Sequence, residues 1–197
     1  MDTEDVTQAT EFRSLLEELR KQLLDACIHF DIWEELWPTV EVVGTINRFK
    51  GFFLPTRNAH LSQFFIKVCN VVSNDPKSPS LYRVLKMLDN NQQLAPGINT
   101  RSLHKRLRQY RKVLEGISDY RNTKAAHWDT QQMEQRKPVL FGDAKQMLKE
   151  LQDIFNEIHK AHVPGNLYAF KTLQASDTSH LLEVLKVKPR KSTGNQL

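Results

Sequence analysis

The chain has 197 residues, 40% of them apolar and 26% charged, enough to bury one core and too balanced for wholesale disorder. No apolar run approaches the roughly 20 residues that a membrane-spanning helix needs, so no membrane partner is expected. The net charge of +5 is modest, and it is carried mainly by residues 101–124 and by a tail holding Lys186, Lys188, Arg190 and Lys191.

The chain opens on Met1-Asp2-Thr3-Glu4-Asp5, which lacks the basic start and apolar stretch of a secretory leader. From Glu11 onward Phe12, Leu15, Leu16, Leu19, Leu23, Cys27 and Phe30 recur at helical spacing, with Trp33, Leu36 and Trp37 able to extend the stripe before Pro38. Val40 to Ile46 is β-branched and reads as a short helix, although strand fits it as well. Pro55 suits the first turn of a third helix reaching Val72, with Leu61, Phe64, Phe65, Val68, Cys69 and Val72 inward. Phe49, Phe52 and Phe53, just before it, are expected to be exposed and suit an interface.

Ser78 and Ser80 are candidate caps for a fourth helix burying Leu81, Val84, Leu85 and Leu88. A loop with Pro96-Gly97 leads to Thr100, the expected cap of a long fifth helix. Gly142-Asp143 opens a sixth, with Met147, Leu148, Leu151, Ile154, Phe155 and Ile158 inward, which Pro164-Gly165 ends. A last short helix, capped by Asp177 or Thr178, carries Leu181, Leu182 and Leu185. With no strand–helix alternation, repeat or glycine-rich phosphate loop, the expected fold is all-α. It is a helical bundle over 1–165, with an extension over 166–197 holding the short helix and the basic tail. Cys27 and Cys69 are too few for a disulfide framework or a zinc site, so buried free thiols and a reducing cytoplasm are expected.

The fifth helix carries the chemistry. Leu103, Leu107, Tyr110, Leu114 and Ile117 form a regular inward seam, and the next step lands on Arg121. A fixed cation at an apolar position must be paired, face a cleft or sit at an interface, because a buried unpaired charge is costly. Arg101, Lys105, Arg108 and Lys112 form a second stripe, with Arg111 beside them and Lys124 further on. A solvated face is the plain reading of that stripe. Its acids are few, though, and a phosphate backbone is the partner that matches it.

His127 follows Arg121 by six residues, about 240° around a continuous helix, so the two converge only across a kink or between two chains. Together they suffice for metal-free RNA cleavage. Histidine accepts the 2′-hydroxyl proton or returns one to the leaving 5′-oxygen, and the guanidinium stabilises charge on phosphorus. Asn122 is placed to orient the phosphate or the imidazole. The competing reading is a packing network of Arg121 with Asp119 or His127.

Asp119-Tyr120-Arg121-Asn122-Thr123-Lys124-Ala125-Ala126-His127 resembles the Arg–polar–x(3–5)–His signature of the HEPN superfamily, helical-bundle domains that include many metal-independent ribonucleases. Phe53 to His60, Leu81 to Leu88 and Tyr120 to His127 also follow the order of features in its AbiU2-type branch. The resemblance implies a HEPN-like bundle with a long central helix leading into the motif. It also implies Arg121 and His127 as catalytic residues, Asn122 as the adjacent polar one, and no cofactor. A homodimer would pair two motifs across one cleft, in a toxin–antitoxin or phage-defence setting with a cognate antitoxin protein. A catalytically inactive module that binds RNA or a partner protein is the alternative. Where one branch carries a modifiable tyrosine after the histidine, this chain has Asp129, so that mode of neutralisation does not transfer.

His159 and His162 share a helix face without a third ligand, so no metal site is expected there. Arg57 and His60 stand too close for the HEPN spacing, and His60 and His104 read as ordinary half-buried residues.

Overall fold

The computed structural model describes the backbone of residues 3–126 and 139–186, with side chains from 6 to 122 and from 139 to 186. Among the described residues there are eight α-helices, one 3₁₀ turn and no strand. The helices are α1 (Thr3–Glu35), α2 (Val43–Arg48), α3 (Lys50–Val71), α4 (Leu81–Asn90), α5 (Thr100–Gln109), α6 (Arg111–Ala126), α7 (Phe141–His162) and α8 (Gln174–Leu185), with the 3₁₀ turn at Gln92–Leu94. The all-α expectation holds, and no described helix is long and apolar enough to cross a membrane.

At 33 residues and about 1.5 Å per residue, α1 runs the length of the molecule and packs on α3, α4, α7 and α8. Its stripe of Phe12, Leu16, Leu19, Leu23 and Phe30 is buried, and Trp33 and Leu36 extend it. The helix begins at Thr3, before the apolar stripe does. On α4 the side chain of Ser80 accepts from the Arg83 N–H, and Leu81, Val84, Leu85 and Leu88 are buried as their spacing requires. The inward face expected of the sixth helix is buried on α7, with His159 added to it. Full burial of each such Leu or Phe stabilises the fold by about 1.5–3 kcal/mol.

Five expectations are corrected. The last helix starts at Gln174 after Leu173, so Asp177 and Thr178 lie inside it and neither is its cap. Pro55 is not at the first turn of α3: the helix starts at Lys50, and Pro55 lies inside it, leaving the Gly51 carbonyl without its usual donor. Phe53 is buried, 2% exposed, in a small cluster with Leu36, Ile46 and Leu182, whereas Phe49 and Phe52 are exposed. The cap of α5 is Asn99, whose Oδ1 accepts from the Ser102 N–H at 3.0 Å; Thr100 is the first helical residue. Most consequentially, the long fifth helix is two helices, interrupted at Tyr110 (φ −96°, ψ 10°).

On either side of Tyr110 the two helices have different main tertiary partners. Arg106 donates to Glu150 and Glu157 of α7, both at 2.5 Å, and this holds α5 against α7 while α6 packs on α3. The Tyr110 N–H bonds to Leu107 and the Leu114 N–H to Tyr110 on either side of the break. Beyond α7, Asn156 clamps the backbone of Tyr168 with two bonds of 2.9 Å, and Phe170 packs on Phe155 with centroids 5.6 Å apart. Phe170 takes a positive φ of 47°, a conformation held by its burial.

Candidate functional site

The break at Tyr110 divides the basic stripe: Arg101, Lys105 and Arg108 belong to α5, and Arg111 and Lys112 to α6. All five are exposed, as a solvated or ligand-binding face requires. Lys124 falls within the backbone of α6, with its side chain outside the described residues. His127 also lies outside the described residues, as do Trp128 and Asp129.

The seam that leads to Arg121 is buried at Leu103, Leu107 and Ile117 and half-buried at Tyr110 and Leu114. Arg121 itself is half-buried and lines an open cleft. The walls of that cleft are Cys69 and Val72 at the end of α3, Asn74 beyond it, Tyr82 of α4, and Leu107, Arg108, Arg111, Leu114, Glu115 and Ser118 of α5 and α6. A guanidinium at an inward position is thus accommodated by solvent access. Three arginines face one carboxylate there, Glu115, which Arg111 engages at 2.6 Å.

Asn122 Oδ1 accepts two hydrogen bonds from Arg121, from Nε at 3.2 Å and from a terminal nitrogen at 2.9 Å. The amide therefore orients the guanidinium, a role the sequence reading did not assign to it. Burial pushes the Cys69 thiol above its ordinary value, and the charge of Arg121 opposes that shift only in part, so Cys69 stays a neutral wall. Burial likewise pushes the Cys27 thiol up to about 12, and its sulfur accepts from Gln152 at 3.0 Å. Both cysteines are free and buried.

A second cleft adjoins the first, lined by Tyr82, Asp89, Thr100, Arg101, His104 and Arg108. The rings of Tyr82 and His104 lie within 20° of parallel with centroids 6.3 Å apart, and His104 Nε2 stands 3.5 Å from Asp89. Tyr82 and Arg108 border both clefts. Sequence reading missed Tyr82 because nothing local distinguishes it from the other half-buried aromatics; only the approach of α4 to α5 gives it a place.

The other histidines have separate duties. His159 Nδ1 lies 3.4 Å from the Asn166 carbonyl and His162 Nδ1 2.6 Å from that of Leu94, so each ring ties α7 to a neighbouring segment. His60 faces His29 across α1 and α3 with their Nδ1 atoms 2.9 Å apart, which requires one ring to donate and the other to be neutral and accept. Burial lowers the pKa of both, and for His29 the neighbouring His60 adds to the effect. Arg57 lies over the Trp37 ring at 6.0 Å.

Helices without a strand among the described residues, with Arg121 and Asn122 in the last turns of α6 and His127 following in the sequence, match the HEPN class. The comparison with protein families agrees: the AbiU2 family model of HEPN domains matches residues 9–181. The chain belongs to that family. No curated protein and no solved structure gives a significant match.

Proposed function

We propose that the protein is a metal-independent endoribonuclease of the toxin–antitoxin or phage-defence type. The observation that carries this reading is Arg121: an inward-facing cation that opens into a cleft shared with Arg108 and Arg111, with its guanidinium held by Asn122. Membership of the AbiU2 family supports it. In the proposed reaction His127 takes the proton from a ribose 2′-hydroxyl, and the 2′-oxygen attacks the adjacent phosphorus. The bond to the 5′-oxygen breaks as that oxygen is protonated, leaving a 2′,3′-cyclic phosphate and a free 5′-hydroxyl. Arg121 stabilises the charge that gathers on the non-bridging oxygens, and Asn122 keeps its fork aligned. Arg101, Lys105, Arg108, Lys112 and Lys124 draw the strand in electrostatically. We further propose a homodimer that joins two Arg121–His127 pairs in one cleft, acting in the cytoplasm under the control of an antitoxin.

The test is the chemistry of the ends. An RNA oligonucleotide incubated in excess EDTA should yield 2′,3′-cyclic phosphates, and a single 2′-deoxy substitution at the cleaved nucleotide should abolish the cut there. Cleavage that survives the deoxy substitution would overturn the mechanism. RNA binding without cleavage, equal in wild type and His127→Ala, would favour an inactive binding module instead.

A further inference from the structure

Tyr82 occupies the second position of α4, two residues after the Ser80 cap. Ser80 Oγ donates to the Ser73 carbonyl at 2.7 Å while accepting from the Arg83 N–H, so the start of α4 is fixed against the end of α3. That placement puts the Tyr82 ring on the border between the Arg121 cleft and the α4–α5 cleft. Across the second cleft α5 presents Arg101, His104 and Arg108, residues three and four apart and hence on one side of the helix. Arg108 has no carboxylate partner among the described residues, while Arg111 and His104 are each set against one. The two clefts hold four arginines and two carboxylates.

Two nearly parallel aromatic planes flanked by arginines where two clefts share a border match a nucleic-acid strand with its bases turned out. At 6.3 Å the two rings leave no room for a base between them, so a base stacks on a ring face turned away from the other ring, and the guanidiniums offer paired donors to the phosphates on either side. A duplex satisfies neither feature, because its bases are already stacked on each other and A-form RNA presents only a shallow minor groove. We propose that Tyr82 and His104 form a base-stacking seat that selects single-stranded RNA. The phosphates beside the seated base lie on Arg101 and Arg108, and this delivers the next linkage to Arg121. The proposal rests on the RNA-cleaving reading above and adds to it the residues that position the substrate.

The measurement is fluorescence anisotropy with a labelled 2′-O-methyl oligouridylate of roughly 12 nucleotides, uncleavable by 2′-hydroxyl attack and of a length typical for such grooves. A matching duplex and an abasic strand of the same length are measured alongside at one salt concentration. Tyr82→Leu, which keeps an apolar side chain without a π face, should weaken single-strand binding about 5- to 100-fold, and Tyr82→Phe should stay within roughly twofold of wild type. Duplex and abasic binding should be the same in all three proteins. Thermal melts of the variants show that the fold is retained. Single-strand affinity unchanged in Tyr82→Leu, or an equal loss for the abasic strand, would overturn the seat. If the wild type still cleaves RNA in that case, the catalytic reading stands without it. A wild type that neither binds nor cleaves RNA removes both.

Discussion

At the scale of single residues, the cleft depends on how Arg121 is held. Two hydrogen bonds from one guanidinium to one amide oxygen fix the plane of the fork, which otherwise rotates freely on a long side chain. Under the proposed mechanism Asn122→Ala should therefore lower RNA cleavage roughly tenfold or more, since small misplacements of a catalytic group are costly. Because Asn122 is exposed, the melting temperature should move by no more than about 2 °C. A comparable loss of stability would mean that the amide serves packing rather than orientation. Arg121 was legible in the sequence because a charge interrupts a regular seam. The cleft around it was not: Cys69, Asn74 and Tyr82 reach it from segments far away in the chain, and no local pattern records that meeting.

At the scale of elements, helices whose inward faces are complete were readable. On α4 and α7 the apolar spacing, and on α4 the cap as well, gave position and burial together. The division at Tyr110 was not readable. It contains neither glycine nor proline, and it separates a helix tied to α7 through Arg106 from one that packs mainly on α3, contacts that no local pattern records. Pro55 misled for the converse reason: a proline often begins a helix, yet here packing of Phe53 on Leu36, Ile46 and Leu182 carries the helix five residues further back.

The contact between α1 and α3 includes His29 and His60, flanked by the Asp25–Lys67 ion pair at 2.7 Å. Both histidines have pKa values below the ordinary 6.5, so the unfolded chain binds more protons than the folded one just below that pH. Stability from this pair is present above 6.5 and is lost as the pH falls through the lowered folded values. The melting temperature of wild type should fall on acidification across that window, and His60→Gln should fall less steeply. Equal slopes would contradict a shared burial of the two rings.

At the scale of the molecule, the described residues after α7, up to Lys186, pack against the same helices as the rest. Phe170 packs on Phe155, and Leu182 closes the cluster of Leu36, Ile46 and Phe53. Removing residues 166–197 uncovers both contacts, each with an apolar side chain worth about 1.5–3 kcal/mol. The truncated protein should melt roughly 10 °C lower, given about 2–4 °C per kcal/mol for a chain of this size. An unchanged melting temperature would show that the segment only decorates a self-sufficient bundle.

The central claim is that Arg121 and His127 cleave RNA without a metal. Its most direct test is the single-turnover cleavage rate of an RNA oligonucleotide in excess EDTA for wild type, Arg121→Ala and His127→Ala, with melting curves to confirm folding. The account predicts cleavage by wild type and a loss of at least about a hundredfold in each variant, the scale of a missing general base or charge-stabilising donor. Variants that cut as fast as wild type, or a wild type that cuts only when a divalent ion is restored, would contradict it.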